Sequence, residues 1–185
     1  MENRKTKSDK KFDSKQIAVS IVAAILLAML YLVIFSFSEQ DGETSGSISQ
    51  KISLKCVEFF NAVSGKRWTE NAMQDMALYF EHPIRKLAHF GEYTCMGILV
   101  WLTTRPWLQG KKKWYFFIVL WVFLSATADE FHQLFVPDRC GSAADVLLDT
   151  GGGAFGALLM MMWNRMLKVR KKHKRDGDTA KPEKN

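Results

Sequence analysis

ADEFHQLFVPDRCGSAADVLLDTGGGAFG, residues Ala128 to Gly156, decides how this chain is read. It joins one apolar run, Trp114 to Ala126, to another, Ala157 to Trp163. Between them sit Asp129, Glu130, His132, Gln133, Arg139, Asp145 and Asp149. Ionisable groups at the rim of apolar spans are expensive in a bilayer, so they mark a functional site by default. The remaining segments read as the scaffold that brings partners to this stretch.

The 185 residues suffice for one compact domain or a small helical membrane bundle. Distribution decides between them: charge gathers at the ends and in short connections, and apolar residues come in long blocks. Ile17 to Phe37 is a run of 21 residues without a charge, enough to cross about 30 Å of hydrocarbon as a helix. It is too long for a cleaved signal segment, and no small-residue cleavage site follows. Ser36 to Ser49 reads as a polar loop. Ile52, Cys56, Phe59, Phe60 and Val63, then Met73, Met76, Ala77 and Phe80, follow helical spacing. These predict two short amphipathic helices on the membrane surface, with Pro83 opening the next helix. Ile84 to Thr104 is a second span compromised by Arg85, Lys86, His89 and Glu92, and Arg105-Pro106 ends it.

The expected fold is therefore all-α: a polytopic membrane protein with four transmembrane helices and extracytoplasmic amphipathic helices between the first two. The spans fall at about 17–37, 84–104, 114–131 and 143–163. The membrane domain is 17–163, flanked by basic tails at 1–16 and 164–185. With both termini in the cytoplasm, inner segments carry 19 of the 26 Lys and Arg residues and outer segments 7. The positive-inside rule favours that orientation in the cell membrane. The net charge of +7 thus reads as juxtamembrane anchoring, with no recognition motif for nucleic acid. Cys56, Cys95 and Cys140 form no CxxC pair, and three unpaired thiols is the preferred reading. His82 and His173 read as solvated side chains. Gly151 to Gly153 is not a phosphate-binding loop, because no Gly-Lys-Ser/Thr follows, and no motif names a cofactor.

In this topology the polar ends of all four spans lie on the outer side. At about 100° per residue, Arg85, His89 and Glu92 share one helix face, flanked by Tyr93. Asp129, His132 and Gln133 share another, with Glu130 to one side and available to a neighbouring helix. Asp145, Asp149, Gly152 and Gly156 form a stripe whose GxxxG permits close helix approach. Three chemistries fit. Arg85, Lys86 and Arg139 can grip a phosphate. His89 with Glu92, or His132 with Asp129, can relay protons, with Glu130 assisting. His89, Glu92, Asp129 and His132 can ligate a divalent metal, although no diagnostic spacing supports it. The competing reading is a set of interhelical ion pairs that fix packing.

RKLAHFGEYTCMG (Arg85 to Gly97), the Ala128–Gly156 stretch and FSFSEQDGETSGSIS (Phe35 to Ser49) together resemble the VanZ-like membrane protein family. The resemblance covers about Ile17 to Trp163. Asp138 and Cys140 stand where the family pattern has Gly and Ser. The family's motif residues fall here on Lys86, His89, Glu92, Tyr93, Asp129, Glu130, Gln133, Arg139, Asp145 and Gly153. The resemblance implies a role at the cell envelope, its founding member being associated with resistance to the glycopeptide teicoplanin.

The leading expectation is a protein that binds or acts on a phosphate-bearing membrane lipid or cell-wall precursor lipid. Candidate catalytic residues are His89, Glu92, Asp129 and Glu130. Candidate binding residues are Arg85, Lys86, Tyr93, His132, Gln133, Arg139, Asp145 and Asp149. The residue types leave open whether any reaction is catalysed. The alternatives are a non-enzymatic accessory protein, or a small transporter, which with four spans and no internal repeat would need a homodimer through Gly152 and Gly156.

Overall fold

The computed structural model describes residues 14–40 and 42–179. It contains five helices and, among the described residues, no strand: α1 Ser14–Ser38, α2 Gly42–Ser64, α3 Glu70–Leu108, α4 Trp114–Gln133 and α5 Ala143–Thr179. The tail expected before residue 14 and residues 180–185 lie outside the described residues.

α1 is apolar all round. Ser20, Ala23, Leu27, Ile34 and Ser38 form its buried stripe. Ile21, Val22, Ile25 and Leu32 face outward, more than half exposed. In water such a surface would be a severe liability; facing lipid it costs nothing. Among the described residues, three helices are long and apolar enough to cross a membrane: Ser14–Ser38, Trp114–Gln133 and Ala143–Arg170. The expected count was four. The region of the second expected span is less apolar, because Arg85, Lys86, His89 and Glu92 dilute it. It is nevertheless the centre of the bundle. Tyr93, Met96, Val100 and Trp101 of α3 are buried among Leu27, Ile34, Ile118, Val122 and Ala157, and Trp101 stacks on Trp114 at 4.8 Å.

Two further expectations are corrected. The polar Ser36–Ser49 segment is not a loop, since α1 runs to Ser38 and α2 starts at Gly42. The second amphipathic helix and the second span are one helix of 39 residues, with Pro83 and Pro106 both inside it. Proline lacks the N–H for the carbonyl one turn back, but packing of α3 against its neighbours on either side of Pro83 keeps the helix continuous. Beyond the expected fourth span, α5 continues as one helix to Thr179.

α2 packs on α3 through a stripe of Ser49, Ser53 and Val57, and not through most of its apolar face. Ser53 is buried and donates to the carbonyl of Ala77 at 2.7 Å. Ile52, Phe59, Phe60 and Val63 all point outward. The chain reverses at Gly65, whose φ of 66° suits glycine, and Thr69 caps α3 by accepting from the Ala72 N–H at 3.3 Å.

Side-chain contacts define the directions. Tyr31 bonds Ser125 and Phe35 stacks on His132, so α1 and α4 run parallel. Lys86 meets Asp145 and Thr94 meets Gly152, so α3 and α5 run parallel. Ser20 bonds the carbonyl of Thr103, and Glu130 bonds Ser142, so the two pairs oppose each other. Ser38, Arg85, Gln133 and the start of α5 therefore gather at one end of the bundle.

α5 meets α3 backbone to backbone. A Cβ on Gly152 would collide with the Phe90 carbonyl, on Gly156 with the Thr94 carbonyl, and on Gly97 with the Gly153 carbonyl. The GxxxG is thus occupied within the chain by α3. Gly151 faces open space. Gly156→Ala is expected to destabilise the bundle by about 1–3 kcal/mol, because the helices must separate. Gly151→Ala should be neutral or stabilising by up to ~1 kcal/mol from helix propensity. Thermal unfolding of the two variants in detergent checks this contrast.

Asp138 lies at φ 57°, in the left-handed region. That accounts for the glycine expected there from the family pattern; aspartate is among the few other residues that tolerate it. Asp138→Gly should leave stability within about 1 kcal/mol, and Asp138→Val should cost roughly 1–2 kcal/mol. Melting temperatures of the purified variants read this directly.

Candidate functional site

The polar end of the bundle encloses a cavity of about 220 Å³. α3 supplies His82, Arg85, Lys86 and His89, all on one side. Glu130 and Gln133 enter from the last turn of α4, Asp138 to Cys140 from the following turn, and Asp145 and Asp149 from α5. Gly42 completes the wall. Its N–H donates to the Pro137 carbonyl at 3.3 Å, and a Cβ there would strike the Asp138 carbonyl.

Most of the charges at this end have partners inside the chain. Arg85 pairs with Glu81 and donates to the Ser49 hydroxyl at 3.2 Å. Lys86 pairs with Asp145. Arg139 donates to the carbonyls of Gln40 and Phe37, each at 3.0 Å. It thereby supplies donors to the end of α1, where helical carbonyls lack them. Glu130 accepts from the Ser142 N–H at 2.7 Å. A carboxylate at a helix N-terminus is favoured by the orphan N–H groups and the dipole, so Glu130 tethers α4 to the start of α5. This is the neighbouring-helix bond expected of it. The Ser142 hydroxyl accepts from the Asp145 N–H at 3.3 Å and caps the same helix.

A second space, an apolar groove of about 600 Å³, opens between α1 and α4. Leu32, Ile34 and Phe35 line one side and Trp121 and Leu124 the other, with Tyr93 and Met96 between them. Asp129 and His132 border it.

The structure thus divides the candidate residues. Arg85, Lys86, His89, Glu130, Gln133, Arg139, Asp145 and Asp149 converge on the polar cavity. Tyr93, Asp129 and His132 belong to the groove. The expected shared face of Asp129, His132 and Gln133 is split. Glu130 and Gln133 are buried in the helix seam, and Asp129 and His132 lie toward α1. The Asp129 carboxylate, accepting from Gln133 at 3.1 Å, links the two. Glu92 is half-buried and lines neither space. Among the described residues, no three His, Cys, Asp or Glu side chains come together as a metal site. Of His89, Glu92, Asp129 and His132, weighed as ligands from the sequence, His89 lines the cavity, Asp129 and His132 the groove, and Glu92 neither. All three cysteines are free and exposed.

Sequence reasoning missed several participants. His82, read as merely solvated, is exposed but stands at the cavity rim. Glu81 and Ser49 hold Arg85. Glu81 was detectable, since it lies four residues before Arg85 on one helix. Ser142, three residues before Asp145 and just ahead of an apolar helix, carries a capping signature. Gly42 and Ser49 lie in the Phe35–Ser49 stretch that carries part of the family resemblance, but only the packing of α2 brings them to the site.

Several buried polar atoms at this end have no hydrogen-bond partner: the Ser38 hydroxyl, Nδ1 of His89 and of His132, the Tyr93 hydroxyl and both carboxylate oxygens of Asp149. Such concentration is unusual, because buried polar groups are ordinarily satisfied.

An all-helical bundle with three membrane-length apolar helices and a polar cavity at one end defines a helical membrane protein. The chain belongs to the VanZ/LLP1 family, whose model matches residues 22–164 and so takes in every residue that lines the cavity. No curated protein and no solved structure matches the chain.

Glu130→Ala should leave the Ser142 N–H without its acceptor and cost about 1–3 kcal/mol. Glu130→Gln, which keeps an acceptor, should cost roughly half as much or less. Thermal melts of both variants against wild type measure the difference.

Proposed function

We propose that this VanZ/LLP1-family protein binds a phosphate-bearing membrane lipid at its polar cavity, with the lipid's hydrocarbon chain along the α1–α4 groove. The observation that carries this reading is the juxtaposition of a cavity bordered by Arg85, Lys86 and Arg139 with an apolar groove one side chain away. A phosphate would exchange with Glu81 and Asp145 as the partner of Arg85 and Lys86. Both pairs are about one-third exposed, and ion pairs of that exposure contribute about 1 kcal/mol or less. They are weak enough to be replaced by a phosphate oxyanion, which arginine can bind through two parallel hydrogen bonds.

In this reading α3 is the fourth crossing, its polar first turns are shielded by α2 and α5, and both termini are cytoplasmic. The positive-inside distribution supports that orientation. The cavity then faces outward, toward the leaflet that carries wall precursors and the compartment where glycopeptides act. Binding is favoured over catalysis. Glu130 serves α5 as a cap, Glu92 lines neither space, and the His132–Asp129 pair borders the apolar groove, away from the cavity that His89 and the cations line.

Native mass spectrometry of wild type and Arg85→Gln/Lys86→Gln in detergent tests this. A co-purifying phospholipid or lipid-linked precursor should fall at least about tenfold in the variant, a loss of ~1.4 kcal/mol or more in binding. Its mass distinguishes a glycerophospholipid from a wall precursor. Equal lipid occupancy in both preparations would show that the cations serve only the internal ion pairs.

A further inference from the structure

The three cations account for a phosphate, but they do not account for Asp149. Its side chain lines the polar cavity, the residue is 1 % exposed, and neither carboxylate oxygen has a partner. Nδ1 of His89 is likewise buried, unpartnered and in the wall of the same cavity. An uncompensated carboxylate in a helix seam costs several kcal/mol. Glycine packing on the following turn holds it there: Gly152 and Gly156 press α5 against α3. The cavity is therefore polarised, with Lys86 and Asp145 at one level and Asp149 four residues further along α5. That is one helical turn, about 6 Å deeper.

Resting on the phosphate reading, we infer that the bound head group also carries an ammonium, which Asp149 receives with His89 beside it. The ligand is then an aminophospholipid of the ethanolamine type. Size supports this. A cavity of about 220 Å³ has room for roughly seven waters at ~30 Å³ each. A phosphate bearing a two-carbon amine is of that size, and the amine reaches about one helical turn from its phosphate. The disaccharide-peptide of a wall precursor is several times too large to enter. Charge supports it too. Glu130, Asp145 and Asp149 line the same cavity as the three cations, so a purely anionic head group would meet repulsion at its inner end. A zwitterion meets both signs.

The test is competition by native mass spectrometry on the full-length protein. Phosphatidylethanolamine, phosphatidylglycerol and phosphatidic acid with identical acyl chains are offered at equal concentration. Wild type should retain phosphatidylethanolamine at least about fivefold over the other two, and Asp149→Asn should bring that ratio to about one. His89→Gln should reduce the preference without abolishing it. Equal binding of the three lipids by wild type overturns the inference without recourse to any variant, and so does a preference that survives Asp149→Asn. The two readings fail separately. If wild type shows no preference but Arg85→Gln/Lys86→Gln loses all three lipids, the phosphate site stands and the ammonium site falls. If that double variant loses nothing while Asp149→Asn removes a wild-type preference, the reverse holds.

Discussion

The structure depends on the contact between the backbones of α3 and α5. Inside a bilayer, burying apolar side chains between helices brings no hydrophobic gain, since lipid tails are as apolar as leucine. Association must come from close packing and hydrogen bonds. Gly97, Gly152 and Gly156 supply the first by removing every Cβ that would hold the helices apart. Thr94 supplies the second, its hydroxyl within 3.1 Å of the Gly152 carbonyl. Gly153 turns the other way and receives Val122, so the same glycine run seats α4.

That seam decides where the polar groups go. Asp145 and Asp149 lie on the α5 stripe that continues from Gly152 and Gly156, so packing of the glycines carries both carboxylates to α3 and its cations. The helix ends are then satisfied by side chains from other elements. Arg139 serves the end of α1, Glu130 and Ser142 the start of α5, and Thr69 the start of α3. Much of the charge that resembles a binding site is therefore structural. What remains without internal compensation is a smaller set, centred on Asp149 and His89.

Much of this was legible in the residue order. Long uncharged runs identified α1, α4 and α5, and motif spacing singled out the residues that meet at one end. Helical periodicity found the apolar face of α2. It did not show that this face turns outward while Ser49, Ser53 and Val57 make the interhelical contact, because periodicity reports a face and not its partner. Pro83 and the polar Ser36–Ser49 segment suggested breaks in the wrong places. Local propensity disfavours helix there, and tertiary packing overrides it. α4 shows the limit most clearly. Asp129, His132 and Gln133 are neighbours on a helical wheel, yet α1 and α5 lie on either side of that arc and divide it between groove and cavity.

The sequence by itself determined the helical class, the membrane character, the family resemblance and the convergence of polar residues at one end. These follow from hydropathy, spacing and motif, which act locally along the chain. Only the tertiary structure decided which charges are consumed by internal partners, which helix occupies the GxxxG, and which carboxylate is left uncompensated. Those outcomes depend on distances between residues far apart in the chain, such as Arg139 with Phe37 or Lys86 with Asp145. No local pattern encodes them, because each is set by how closely the helix backbones approach.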